Sequence, residues 1–264
     1  MSPDFTNWTK YTGYDALPTL GPWETSANHF APDVIQRDDG KFVLYYAGEL
    51  KDWKTHHCVA AAISEAKSPI GPYQPQNTTL ACPKKKGGAI DISPFRDVDG
   101  KLYVTYKIDG NSIGHGGICN NSKKPLVPVE LMLQELKEDG ITPVGDPVQI
   151  LESNEHDDGP LVESPNLVRT AEGAYYLFFS SHCFVSPKYD VKYAFSSSVR
   201  GPYTRAKRPL LKSGDFGLKG PGGATVCTDG TKMVFHANCD DVRCMYIAGI
   251  HINSTVPVVT LSAL

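Results

Sequence analysis

Val162-Glu163-Ser164-Pro165-Asn166-Leu167-Val168-Arg169-Thr170-Ala171-Glu172-Gly173-Ala174-Tyr175-Tyr176-Leu177-Phe178-Phe179 decides the fold. It reads as a short strand, a tight turn closed by Gly173, and a second strand rich in Tyr, Leu and Phe. The same pattern recurs three times. Phe30-Ala31-Pro32-Asp33 leads through Gly40 to Tyr46, Ile90-Asp91-Ile92-Ser93-Pro94 leads through Gly100 to Tyr106, and a weaker copy runs from Gly222 through Gly230 to His236. The turn glycines are 60, 73 and 57 residues apart, which leaves room for two more strands after each hairpin. Val59–Glu65, Leu131–Leu136, Tyr193–Ser197 and Met245–Ile250 are the apolar segments that would supply them. A four-stranded antiparallel unit repeated at this period is the blade of a β-propeller. No stretch carries sustained helical periodicity, so the expected class is all-β.

Blades present their first strands to a central channel. Asp91 and Glu163 stand at what reads as one repeat phase, each just ahead of a Ser-Pro element. The repeat therefore brings two carboxylates from different blades to one channel mouth. Paired carboxylates suit glycosidic bond cleavage, in which one stays protonated to donate to the leaving oxygen and another stays ionised. A lone Asp before Ser-Pro would read as a turn cap, and the match at Glu163 argues against that reading.

Gly88-Ala89-Ile90-Asp91-Ile92-Ser93-Pro94, Phe30-Ala31-Pro32-Asp33 with its hairpin, Val162-Glu163-Ser164-Pro165 followed by Tyr175-Tyr176-Leu177, and Gly220-Pro221-Gly222-Gly223 together resemble glycoside hydrolase family 43. This is a family of five-bladed propellers that includes arabinanases, arabinofuranosidases and β-xylosidases. The resemblance covers nearly the whole chain. It implies hydrolysis of arabinose- or xylose-containing plant polysaccharide by an inverting displacement, with Glu163 as general acid and Asp91 as the residue that tunes its pKa and orients substrate. In the family a third carboxylate, the base, begins the inner strand of blade one. Pro3-Asp4-Phe5-Thr6-Asn7-Trp8 resembles the outer-strand region that follows that inner strand. The expectation is thus a five-bladed propeller incomplete at its N-terminus, with about four full blades. Residues 1–29 would be a remnant of blade one and a linker, and 30–264 blades two to five of a single catalytic domain. On this reading the base is missing and the chain alone has little activity. The alternative from another class is a catalytically impaired, glycan-binding propeller.

Other residues stand as substrate-binding candidates. Phe30, with Trp23 and Trp53, offers an aromatic face for a sugar. Asp33 begins the next blade and is a weak substitute for the base, ahead of Asp4 and Asp15. His115 lies in the glycine-rich loop Gly110–Cys119, and Arg243 precedes the last apolar strand, where it would meet a carboxylate or a sugar hydroxyl. His236 reads as a satisfied core histidine. Some relatives hold an ion on the channel axis with a histidine in the Gly-Pro-Gly-x loop. Gly223 stands at that position here, so no cofactor is expected and an axial calcium ion is doubtful.

The rest of the 264 residues bounds the partners. With 26 Lys and Arg against 29 Asp and Glu, the net charge of −3 gives no electrostatic attraction for nucleic acid or an anionic membrane. No apolar run approaches the ~20 residues of a membrane span. No obligate protein partner is evident, and the carbohydrate substrate is the one partner expected. Seven cysteines without a Cys-x-x-Cys pair argue for disulfides over a metal site. Cys58 with Cys82, and Cys239 with Cys244, are the pairs that flank single hairpins. Together with sequons at Asn7, Asn77, Asn120 and Asn253 they point to a secreted glycoprotein, although no signal segment opens the sequence.

Overall fold

The structure, a computed structural model, describes residues 1–253 and 258–262. Its strands form four four-stranded antiparallel sheets, each made of consecutive strands. The first holds β1 (Glu24–Gln36), β2 (Phe42–Leu50), β3 (Trp53–Ser64) and β4 (Tyr73–Pro75). The second holds β5 (Ala89–Arg96), β6 (Leu102–Ile108), β7 (Glu130–Leu136) and β8 (Pro143–Glu152). In the third are β9 (Val162–Arg169), β10 (Tyr175–Ser181), β11 (Asp190–Ser196) and β12 (Thr204–Arg205). The fourth has β13 (Gly222–Val226), β14 (Lys232–Cys239), β15 (Val242–Asn253) and β16 (Val258–Ser262). These are four blades of a propeller, and no fifth sheet occurs among the described residues. The only α-helix among them, α1, is the four-residue turn Glu155–Asp158.

The first hairpin of every blade turns where the sequence predicted. Gly40, Gly100, Gly173 and Gly230 all have positive φ, between 70° and 94°, which an L side chain rarely adopts. A second device repeats at Tyr73 and Tyr203, which enter the fourth strands. Their hydroxyls donate back to the carbonyls of Pro69 and Val199 at 2.6 and 3.0 Å, holding the turn before each strand.

Three apolar clusters lie between consecutive blades. Val43, Tyr45 and Val59 meet Ile92, Val104 and Leu136 between the first and second blades. Leu131, Leu133 and Ile150 meet Leu167, Leu177 and Phe179 between the second and third. Tyr176, Phe178 and Val191 meet Ala224, Met233 and Phe235 between the third and fourth. Each fully buried aromatic or aliphatic side chain there contributes roughly 1.5–3 kcal/mol. A fourth cluster covers the free face of the first blade, where Leu17 and Trp23 pack on Leu44, Tyr46 and Tyr73.

The first blade starts earlier than the sequence repeat suggests. β1 begins at Glu24, paired with Leu50, and not at Phe30. Glu24 is fully buried and accepts from the Tyr46 hydroxyl at 2.6 Å and from the Gly21 amide at 2.8 Å. Those bonds tie 24–29 into the sheet despite a polar sequence that lacks strand alternation. Residues 4 and 5 reach the fourth blade instead, where Lys232 Nζ sits 5.1 Å from the Phe5 ring centroid.

Cys58 pairs with Cys82 and Cys239 with Cys244, as expected from the hairpins they flank. A third bond, Cys119–Cys183, was not foreseen, because its partners are 64 residues apart and lie on different blades. Cys227 is free.

Candidate active site at the channel mouth

Each inner strand carries the same irregularity. The pairings Phe30↔Ala47 and Asp33↔Tyr45, Ile90↔Lys107 and Ser93↔Thr105, Glu163↔Ser180 and Asn166↔Phe178, and Gly222↔His236 and Thr225↔Val234 each enclose one extra residue. The first residue of each bulge is left-handed: Ala31 at φ 42°, Asp91 at 57°, Ser164 at 54° and Gly223 at 61°. A bulge re-aims side chains, and positive φ at non-glycine residues is strain of about 1–3 kcal/mol that tends to collect at functional sites. The bulge also corrects the repeat phase. Asp91 is equivalent to Ala31, Ser164 and Gly223, whereas Glu163 stands one residue earlier, with Phe30 and Ile90.

The offset lets the two carboxylates share a mouth. Asp91 Oδ2 accepts the Ser164 amide at 2.9 Å, directly beside Glu163. Glu163 Oε1 accepts the Tyr189 hydroxyl at 2.6 Å, and its Oε2 faces Lys107 Nζ at 3.6 Å. Lys107, on β6, is only 1% exposed and also pairs with Asp109 at 3.2 Å. Burial alone would lower the Lys107 pKa, but the attraction of Asp109, Glu163 and Asp91 outweighs it and holds the ammonium above its usual range. Burial pushes the Asp91 carboxyl up, with Lys107 opposing and Glu163 adding to the rise. The Tyr189 phenol is raised too, by burial and then by Glu163. Glu163 was expected in the more enclosed setting of the two. Both are half-buried, so Glu163 is not set apart as the more enclosed.

A cavity of about 250 Å³ opens on the channel axis, lined by Asp33, Asp91, Ser93, Asn166, Thr225 and His236 among others. A chain of hydrogen bonds crosses all four blades there. Ser93 Oγ donates to Asp33 Oδ2 at 2.8 Å and receives Asn166 Nδ2 at 3.1 Å, while Asn166 Oδ1 accepts the Val226 amide at 2.9 Å. Asp33 Oδ1 takes the Val34 amide at 2.8 Å, so both of its oxygens are engaged. Burial still raises its pKa to about 6, against the Ser93 and Val34 bonds.

The remaining candidates fall in different places. Phe30 is 41% exposed and stacks on His57 with ring centroids 4.0 Å apart. Trp23 instead stacks on Tyr46 and Trp53 on His56. His115 is exposed in its loop and does not line the axial cavity. Arg243 spends its donors on protein: Nε on His236 Nδ1 at 2.6 Å, Nη1 on Asn238 Oδ1 at 2.7 Å and Phe184 O at 3.0 Å, and Nη2 on Gly220 O at 2.7 Å. It also lies 5.2 Å from the Tyr189 ring centroid. Sequence reasoning did not find Lys107, Tyr189, Ser93 or Asn166. The one signal was a lysine inside Leu102-Tyr103-Val104-Thr105-Tyr106-Lys107-Ile108, since a lysine in a fully buried strand requires a carboxylate partner.

Among the described residues, no group of three or more His, Cys, Asp and Glu is arranged to hold a metal ion. The axial histidine does not suit one either. Nδ1 of His236 is taken by a guanidinium that never deprotonates, and that guanidinium places a positive charge behind the ring.

The model of the family described as "Glycosyl hydrolases family 43" matches residues 1–248. A curated relative from Aspergillus niger, named β-D-galactofuranosidase, is 27% identical over 227 residues, which is 81% of this chain. The chain spans only 56% of that relative's length. Among solved structures, a thermostable family-43 glycoside hydrolase is 26% identical, with a TM-score of 0.74 over 92% of this chain and 77% of its own. An endo-1,4-β-xylanase structure from Bacteroides thetaiotaomicron is also 26% identical, with a TM-score of 0.69 over 91% of this chain and 77% of its own.

Proposed function

Since the chain belongs to glycosyl hydrolase family 43, we propose that its channel mouth cleaves glycosidic bonds of arabinose- or xylose-containing polysaccharides with Glu163 as the acid. The observation that carries this reading is the coupling of Glu163, Asp91, Lys107 and Tyr189 at one mouth. Glu163 would give its proton to the leaving oxygen. Asp91 would set when that proton is available, because each charge on one carboxylate disfavours the other. Lys107 would absorb the charge left on Glu163 after transfer. The names of the relatives, a furanosidase and a xylanase, support pentose or furanose glycans as the substrate class. Inversion would need a further carboxylate to activate water, set apart by room for that water. Three disulfides suit an oxidising compartment, so the enzyme would act outside the cell.

One observation favours a second reading, a glycan-binding propeller with impaired hydrolysis. Besides Asp91, the carboxylate lining the axial cavity among the described residues is Asp33, and both its oxygens are already engaged. Chromogenic arabinofuranosides and xylosides, assayed on the chain and on Glu163→Gln, separate the two. Turnover that falls by roughly 10²- to 10⁴-fold in Glu163→Gln, with oligosaccharide binding kept, supports the hydrolase. Equal binding with no turnover in either protein supports the binding module. Neither binding nor turnover refutes both.

A further inference from the structure

His236 ends its hydrogen bonding in a way that fixes its proton. Arg243 Nε can only donate, and it points at His236 Nδ1 from 2.6 Å. Nδ1 must therefore accept, and in a neutral imidazole the proton then resides on Nε2. Burial and then the Arg243 charge hold the ring's pKa down at about 4, so the neutral form prevails at ordinary pH. Arg243 is itself locked by carbonyls of Gly220, Phe184 and His236 and by Asn238. Tyr189 lies beside the imidazole, with centroids 6.0 Å apart and planes 15° from parallel. The ring thus has neither a rotamer nor a tautomer to spare.

Nε2 faces the axis. His236 lines the axial cavity, and a methyl group built on Gly223 would overlap its Nε2. Gly223 therefore leaves open the space into which the Nε2 proton projects. The same cavity is lined by Asp91, Asp33, Ser93 and Thr225.

We propose that His236, its proton locked on Nε2 by Arg243, makes the axial cavity a donor site that receives a hydroxyl or ring oxygen of the bound sugar and rejects a divalent cation. The sugar half of this inference rests on the reading of the mouth as a glycan site; the proton half does not. His236 is thus a substrate-binding residue, and Arg243 is the positioning residue that acts through it.

Three measurements on the full chain test the inference. Long-range ¹H–¹⁵N spectra of the histidine-labelled protein, with His236→Gln assigning the ring by subtraction, read the tautomer directly. Proton on Nε2 is expected; proton on Nδ1 overturns the proposal. Thermal unfolding with calcium chloride and with chelator should give one midpoint, and a calcium-induced rise that disappears in His236→Phe overturns it as well. Xylo- and arabino-oligosaccharide titration should show about tenfold weaker binding for His236→Phe, the scale of one lost hydrogen bond. His236→Gln, whose side-chain amide restores a donor near the same place, should recover part of that loss. Equal affinity in His236→Phe and the parent chain refutes the sugar contact. A parent chain that binds no sugar refutes the glycan reading instead, while the tautomer and calcium measurements still judge the proton.

Discussion

The side chain of Asp91 accepts the backbone amide of Ser164 at 2.9 Å, across two blades. Both residues are left-handed bulge residues, so two strained positions brace one another. The bond holds the Glu163 backbone against Asp91, and Lys107 Nζ, 3.6 Å from Glu163 and 3.2 Å from Asp109, sits in the charge field they create. Lys107→Met should therefore leave three carboxylates around an apolar side chain. The expected loss is about 3–5 kcal/mol, the cost of breaking a buried ion pair from one side. Urea unfolding at pH 7 measures it. The loss should shrink as pH falls through about 6, where the buried Asp91 carboxyl takes up a proton and no longer needs the ammonium, whereas a pH-independent loss would mean that packing alone is involved.

Asp33 gives a pH dependence of definite sign. Its folded pKa is about 6, above the ordinary aspartate value of 3.8. The folded state therefore holds the proton more tightly, and stability from this group is complete below about pH 4 and falls as pH rises to about 6. Asp33→Asn removes that fall. The variant and parent should unfold alike at pH 4. At pH 7.5 the variant should be more stable by roughly 1–3 kcal/mol, given ~1.4 kcal/mol per pKa unit. A variant less stable than the parent at pH 7.5 would show that the carboxylate is worth more than its desolvation costs.

The hairpins were legible because they depend on short-range signals. Asp99-Gly100 and Asp229-Gly230 encode turns locally, and the alternation after them encodes strands. The bulge did not show. Phase matching placed Asp91 opposite Glu163, while the extra residue in each strand makes Asp91 the counterpart of Ser164. A one-residue slip of this kind is invisible to a pattern of period two when both candidates are polar. Cys119–Cys183 was hidden for another reason. Nothing local marks a bond that closes 64 residues between two blades. Arg243 and His115 were read by residue type and place along the chain, and only the fold reveals that one is occupied by His236 and the other is exposed. The sequons divide similarly. Asn77 is exposed, whereas the Asn120 amide already donates to Asn111 O and Ser112 O at 3.1 Å each. Ser254 and Thr255 of the last sequon lie outside the described residues.

The Cys119–Cys183 bond pins the glycine-rich loop of the second blade to the segment that carries Phe184 and Tyr189. Replacing both cysteines by serine should cost about 4 kcal/mol by the loop-closure argument for a separation of 64 residues. Removing Cys239–Cys244, which closes a separation of 5, should cost clearly less. Guanidinium unfolding of the two double variants ranks them. Because Tyr189 holds Glu163, the first variant should also weaken oligosaccharide binding, and the second should weaken it less.

Asn166 is the link of the axial chain with no substitute. Its Nδ2 reaches Ser93, its Oδ1 receives Val226, and the residue is 5% exposed. Asn166→Leu keeps the volume but strands the Val226 amide and frees one side of Ser93, whose hydroxyl would still serve Asp33. An unsatisfied buried amide costs about 1–3 kcal/mol, and the lost bond to Ser93 adds about 1. Asn166→Asp is the informative partner. It restores an acceptor for Val226 but sets a second carboxylate near the Ser93 hydroxyl that Asp33 already holds. Below about pH 5 the introduced carboxyl, once protonated, has both a donor and an acceptor, and the variant should recover most of the parent stability. At pH 8 the two carboxylates repel, and the variant should be as unstable as Asn166→Leu. Thermal unfolding of the three proteins between pH 4 and pH 8 measures this crossover. An Asn166→Asp curve parallel to that of Asn166→Leu throughout would mean that the axial chain contributes packing and not hydrogen bonds.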